Sequence, residues 1–185
     1  MSEAQGAQRW VAFLRAINVG GHTVKMDHLR GLFEALGFAR VETFIASGNV
    51  IFETPEQDAR ALEKRIEAHL RDSLGYEVAT FLRSPAELEE AARREPFPDS
   101  TAEEAHAIYV AFLPAPLSAE AQQKLLAYRS EIDEFAICDR EVYWLCRKSM
   151  HESTFSGALL EKTIQMPATM RNITTVRKMA ARYSD

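Results

Sequence analysis

The sequence predicts an α+β fold of two subdomains, in which short strands alternate with amphipathic helices. Three observations predict it. The stretch WVAFLRAINVGG, residues 10–21, reads as a strand that breaks at paired glycines and passes at once into a helical period. The order strand, helix, hairpin, helix, strand then fills the first half of the chain. A more weakly marked round of strand, helix, hairpin and helix fills the second.

In the opening strand, Val11, Phe13 and Ile17 suit a pleated, half-buried surface. Met26, Leu29, Leu32 or Phe33, and Leu36 then share one helical face, and Gly37 stands where that helix stops. Residues 41–46 and 50–54 read as strands, and the turn Ser47-Gly48-Asn49 joins them as a hairpin. Thr54-Pro55-Glu56-Gln57 opens the next helix, with threonine as cap, proline in the first turn and Gln57 completing a capping box. Leu62, Ile66 and Leu70 form its buried face, and Gly75 closes it. Residues 77–83 are a fourth strand. The order β-α-β-β-α-β is that of a ferredoxin-like split unit.

Ser84-Pro85-Ala86-Glu87 is another capping box, opening a helix that runs to about Arg94. The polar run 96–104 reads as a linker, dividing the chain into subdomains 1–95 and 105–185. Residues 106–113 form a strand, followed by Pro114, Pro116 and a helix capped by Ser118. Residues 132–138 and 141–147 make a second hairpin. Its Phe135, Ile137, Tyr143 and Leu145 are expected in the core, with Trp144 on the opposite face. A helix at 158–165 and a last helix after Asn172, burying Ile173, Val176 and Met179 or Ala180, complete the chain. This second unit reads as β-α-β-β-α, an incomplete copy of the first with no evident sequence repeat.

Length and composition bound the function. The chain has 185 residues, 46% apolar and 26% charged, ordinary values for a globular protein. No stretch approaches a membrane span, and the start MSEAQGAQ lacks the regions of a signal peptide, so a cytoplasmic location without a membrane partner is expected. Cys138 and Cys146 fall on neighbouring strands, several pairs apart, and are expected as free thiols. His22, His28, His69, His106 and His151 are scattered without cysteine partners, so no metal is expected. NVGG matches neither dinucleotide nor P-loop glycine patterns, and Ser47 in ASGN is no nucleophile elbow. No cofactor is expected, and the absence of an evident general base leaves open whether the chain is an enzyme.

The net charge of −5 argues against nonspecific coating of nucleic acid, but its distribution is uneven. Residues 5–26 hold no acid but include Arg9, Arg15 and Lys25, and residues 162–184 hold none but include Arg171, Arg177, Lys178 and Arg182. A strand, a glycine loop and a helix start present backbone N–H groups to an anion, which makes Arg15, Asn18, Gly20, Gly21 and Lys25 candidate ligand-binding residues. At the far end, Asn172 or Thr174 caps the last helix beside Arg171, so Arg171 and Asn172 are added as an anion seat. The expectation is one positive, concave site for a small phosphate- or carboxylate-bearing ligand. A structural or protein-interaction role, in which these motifs serve turns and caps, ranks second. An RNA-binding module ranks third, since Val50-Ile51-Phe52 offers little to stack a base. The oligomeric state is not legible.

FLRAINVGG, VKM-x-x-LR, LGF, SGNVIF, LLEKTI and T-x-RN-x-x-T-V-x-K together span residues 13–178. In this combination the chain resembles the domain of unknown function 1697 family. The resemblance implies a soluble, bacterial-type protein of two α+β subdomains, the first ferredoxin-like, and no established activity. Ile173 stands where members usually carry tryptophan, and Ser153-Thr154-Phe155 where many carry serine-lysine-leucine.

Overall fold

A computed structural model describes residues 6–184. The chain divides into two compact units, one running to Leu88 and taking in the residues from Arg182, the other Glu89–Ala181.

The first unit comprises β1 (Gln8–Leu14), α1 (Met26–Glu34), β2 (Ala39–Thr43), β3 (Asn49–Thr54), α2 (Ala59–Leu74) and β4 (Thr80–Arg83). Its sheet has the order β2-β3-β1-β4 with every neighbour antiparallel, the ferredoxin-like arrangement expected from the element order. Trp10, Ala12, Leu14, Val50, Phe52 and Leu82 pack one sheet face against Leu29 and Phe33 of α1 and Leu62, Ile66 and Leu70 of α2. The alternate residues Val11, Phe13, Ile51 and Phe81 are buried as well, so neither face of the sheet centre meets water. That is why WVAFL is an unbroken apolar run and not an alternating one.

Helix α2 starts later than its sequence signals imply. Thr54 Oγ1 accepts from the Glu56 N–H and closes a turn, while Asp58 is the cap, its carboxylate accepting from the Ala61 N–H at 3.1 Å. Asp58 is an equally strong capping residue placed directly before the apolar period, and it displaces the box expected at Thr54 and Gln57. Gly75 ends the helix at φ 84°, as expected.

The division between the units falls within α3 (Pro85–Arg93), whose capping box forms as predicted. The Ser84 N–H donates to the Glu87 carboxylate at 2.8 Å, and the Glu87 N–H donates to Ser84 Oγ at 3.2 Å. A short helix α4 (Asp99–Ala102) occupies the polar run 96–104. The second unit continues with β5 (Ala107–Phe112), α5 (Ala119–Leu126), β6 (Asp133–Cys138), β7 (Glu141–Cys146), α6 (Gly157–Ile164), β8 (Thr169–Asn172) and α7 (Ile173–Tyr183) as far as Ala181. Its sheet order, β6-β7-β5-β8, reproduces the first.

Strand β8 is the element the sequence reading lacks. Thr169-Met170-Arg171-Asn172 does not precede a helix as a capping loop alone; it pairs along β5, with Arg171 opposite Val110. The second unit is therefore a complete β-α-β-β-α-β copy followed by α7. In the second hairpin Phe135, Tyr143 and Leu145 are buried and Ile137 half-buried. Trp144 points to the helix side, stacks edge-on against Phe155, and donates its Nε1–H to Asp133 at 2.8 Å.

Superposing the two sheet registers exposes a repeat. Val11-Ala12-Phe13-Leu14 corresponds to Val110-Ala111-Phe112-Leu113: Phe13 pairs with Asn49 and Phe112 with Glu141, both buried polar residues. The Leu14 N–H donates to Gly48 O at 2.8 Å, and the Leu113 N–H to Arg140 O at 2.9 Å. Arg83 opposite Val11 matches Arg171 opposite Val110. In the second helix of each copy, LEK-x-I recurs at residues 62–66 and 160–164. The expectation of no evident repeat is thus corrected: equivalent residues lie at varying spacings because the connecting loops differ in length.

Candidate functional site

Two of those connections differ by six residues: β3 to α2 against β7 to α6, residues 55–58 and 147–156, and the one that follows the VAFL run. The eleven residues 15–25 join Leu14 to α1, whereas the five residues 114–118 are enough to join Leu113 to α5. The second copy shows what this connection needs, so the first carries six residues beyond it.

The extra length is held in a defined shape. The Arg15 N–H donates to Ala79 O at 2.9 Å, and Ile17 is buried at 2% exposure although it lies past the strand. Asn18 Nδ2 donates to Ala46 O at 2.7 Å while its Oδ1 accepts from the Val24 N–H at 2.7 Å. One side chain therefore closes the loop on itself and ties it to the hairpin turn 44–48. At Gly48, φ is 81° and an added Cβ would lie 2.9 Å from Ile17 Cβ, so the two loops touch where only glycine fits. The far end of the loop rests on the chain after α2, where His22 stacks on Tyr76 with ring centroids 3.8 Å apart.

Of eleven described residues with positive φ, six lie in these two loops: Ala16, Asn18, Gly20, Gly21, Ile45 and Gly48. Ile45, at φ 50°, is β-branched and strained there. Gly20 and Gly21 face open space, so glycine serves their backbone angles, not close packing. Val19 and Ile45, one on each loop, are large apolar side chains left 56% and 53% exposed.

The loop ends at Lys25, the N-cap of α1, whose side chain makes no capping hydrogen bond. Asp58 and Ser118 do cap α2 and α5. A lysine at this position opposes the helix dipole, whose positive end favours anions. Asp27 in the first turn is turned to Arg30, at 3.5 Å. Ser47 Oγ accepts from Asn49 Nδ2 at 2.9 Å, which assigns that hydroxyl to the hairpin turn.

Of the residues predicted from the sequence, Arg15, Asn18, Gly20, Gly21 and Lys25 share this one loop. Arg171 and Asn172 belong to β8 of the second unit. Arg171 is 7% exposed, and its Nη1 donates to Thr169 Oγ1 at 2.7 Å and Met170 O at 2.9 Å. Burial pushes its guanidinium down to about 10, still charged at neutral pH. Asn172 Oδ1 accepts from the Thr174 N–H at 2.9 Å, so it caps α7 as anticipated. The sequence reading did not include Ala46, Gly48, His22 or Tyr76 in the site. The signal that finds them is the unequal length of the connections that follow the two VAFL runs.

Residues 7–143 match the family model described as protein of unknown function (DUF1697). No curated protein matches the chain. A solved structure described as that of conserved bacterial protein SP0830 from Streptococcus pneumoniae is similar over 95% of this chain and 98% of that one, with a TM-score of 0.75 and 20% identity. At that identity the likeness carries the fold alone. The family match takes in both loops of the site and every element from β1 to the first half of β7, most of the chain. This protein therefore belongs to the DUF1697 family.

Proposed function

We propose that the loop pair 15–25 and 44–48 binds the anionic group of a small phosphate- or carboxylate-bearing molecule. The observation that carries this reading is the six-residue excess over the equivalent connection in the second unit, held by Asn18 and ending at an uncapped helix start with Lys25. Loops that exceed what a fold needs are common places for binding residues. A helix end contributes about 0.3–1 kcal/mol, and each charge-assisted hydrogen bond about 1.5–3 kcal/mol, so several donors must act together. Affinity should fall as salt rises.

The test is an NMR titration with inorganic phosphate and with acetate. Amide shifts are expected at Asn18, Gly20, Gly21 and Lys25, weakened by salt and by Lys25→Ala. Shifts scattered over the surface, or none, would contradict the proposal. Arg171 and Asn172 join the site only if their amides respond in the same titration. A second reading, a protein-contact surface, is favoured by exposed Val19 and Ile45. It is separated by Val19→Ser with Ile45→Ser, which should leave the phosphate response intact.

A further inference from the structure

The second unit contains a cleft of about 240 Å³ lined by residues 94–97, which follow α3, and by residues of α4, β5, β7 and α7. Its floor is apolar, with Phe97 and Ile173 buried and Ile108 half-buried. Three exposed charged residues also line it: Glu95, Asp99 and Arg177. None of the three forms an ion pair with another described residue. Arg177 Nε donates to Ala92 O at 3.4 Å, and its terminal nitrogens make no hydrogen bond to another described residue. Arg94 lines the cleft too but is already engaged, with Glu90 at 2.8 Å, Cys138 O at 3.3 Å and Glu141 at 3.6 Å.

We infer that this cleft binds a free α-amino acid with an apolar side chain. Opposite charges that line one small cleft without pairing leave room for a molecule carrying both signs. The ligand carboxylate meets the Arg177 fork, whose two nitrogens match its two oxygens. The ammonium meets Asp99 or Glu95, and the side chain lies on the Phe97, Ile108 and Ile173 floor. With Arg94 already paired to Glu90 and Glu141, a simple anion would face the two unpaired carboxylates and a simple cation would face Arg177, whereas a zwitterion satisfies both signs. The cleft is smaller than the usual drug-sized pocket, as a compact metabolite requires. Because the ligand is neutral overall, its binding depends little on salt, unlike that at the loop site.

The test is calorimetric titration of the full chain with L-leucine, N-acetyl-L-leucine and L-leucinamide. Leucine should bind, and each blocked analogue should bind about tenfold or more weakly, because each leaves one charge of the cleft without a partner. Arg177→Gln should weaken leucine by a similar factor at an unchanged thermal midpoint. Glu95→Gln with Asp99→Asn should weaken leucine and abolish its advantage over N-acetyl-leucine. No leucine binding at millimolar concentration, equal binding of the analogues, or an unaffected Arg177→Gln variant would overturn the inference.

Discussion

Tyr143 sits in the middle of β7 with no exposed surface, yet its hydroxyl has defined partners. It donates to Ala91 O at 2.7 Å and stands against the Arg94 guanidinium. Burial raises its pKa and the Arg94 hydrogen bond lowers it; the net is a rise from 10.0 to about 12. The folded pKa thus lies above the unfolded one. The associated stability is fully present below pH about 10 and is lost as pH rises from about 10 to about 12. Tyr143→Phe keeps the ring and removes the hydroxyl, leaving Ala91 O without this donor. It should cost about 1–3 kcal/mol in denaturant unfolding at neutral pH. The cost should shrink towards pH 12. A cost that does not change with pH would show that the hydroxyl titrates no differently in the folded and unfolded chain.

Among the elements, the β1–α1 connection offers the most direct test of what the fold requires. Replacing residues 15–25 by Pro-Ala-Pro-Leu-Ser, the sequence of 114–118, gives the first unit the connection that already serves the second. The chimera should fold cooperatively, with a loss of about 1.5–3 kcal/mol from removing buried Ile17, and should no longer respond to phosphate. Failure to fold would make the long loop structural. Most elements were legible because each carries its own signal: the Ser84–Glu87 box, the Ser118 cap and the αL glycine at 75 all act within a few residues. β8 was not legible, because Thr-Met-Arg-Asn has no alternation to read and its arginine is buried in a sheet whose partner strand lies far away in sequence. That Arg15, Asn18, Gly20, Gly21 and Lys25 share one loop was legible from their spacing. Their second wall was not, since Ala46 and Gly48 are brought to Asn18 and Ile17 only by the pairing of β1 with β3.

At the scale of the whole molecule, the same design is used twice, down to how the sheet edge is closed. In the first unit, carboxylates of α2 accept from N–H groups on the outer edge of β4, Glu67 from Thr80 at 3.0 Å and Glu63 from Leu82 at 3.4 Å. In the second, Glu161, the glutamate of the repeated LEK-x-I, accepts from the Ala168 N–H at 3.0 Å beside β8. An edge strand otherwise offers unpaired donors to other chains, and a helix carboxylate removes that opportunity. Within each unit the two inner strands, β1 and β3 or β5 and β7, have hydrogen-bonded neighbours on both sides. Strands β2, β4, β6 and β8 have one neighbour each, and of these β2 and β6 lack the helix carboxylates found at β4 and beside β8. Local opening starts where the fewest bonds and contacts must break, so the edges should exchange amide hydrogens first and the centres last. Hydrogen exchange should therefore find the slowest amides in residues 11–13 and 110–112, one cluster in each unit, with β2 and β6 exchanging well before them. If one copy's VAFL amides exchanged along with its edge strand, the equivalence of the two units would hold for topology and not for stability.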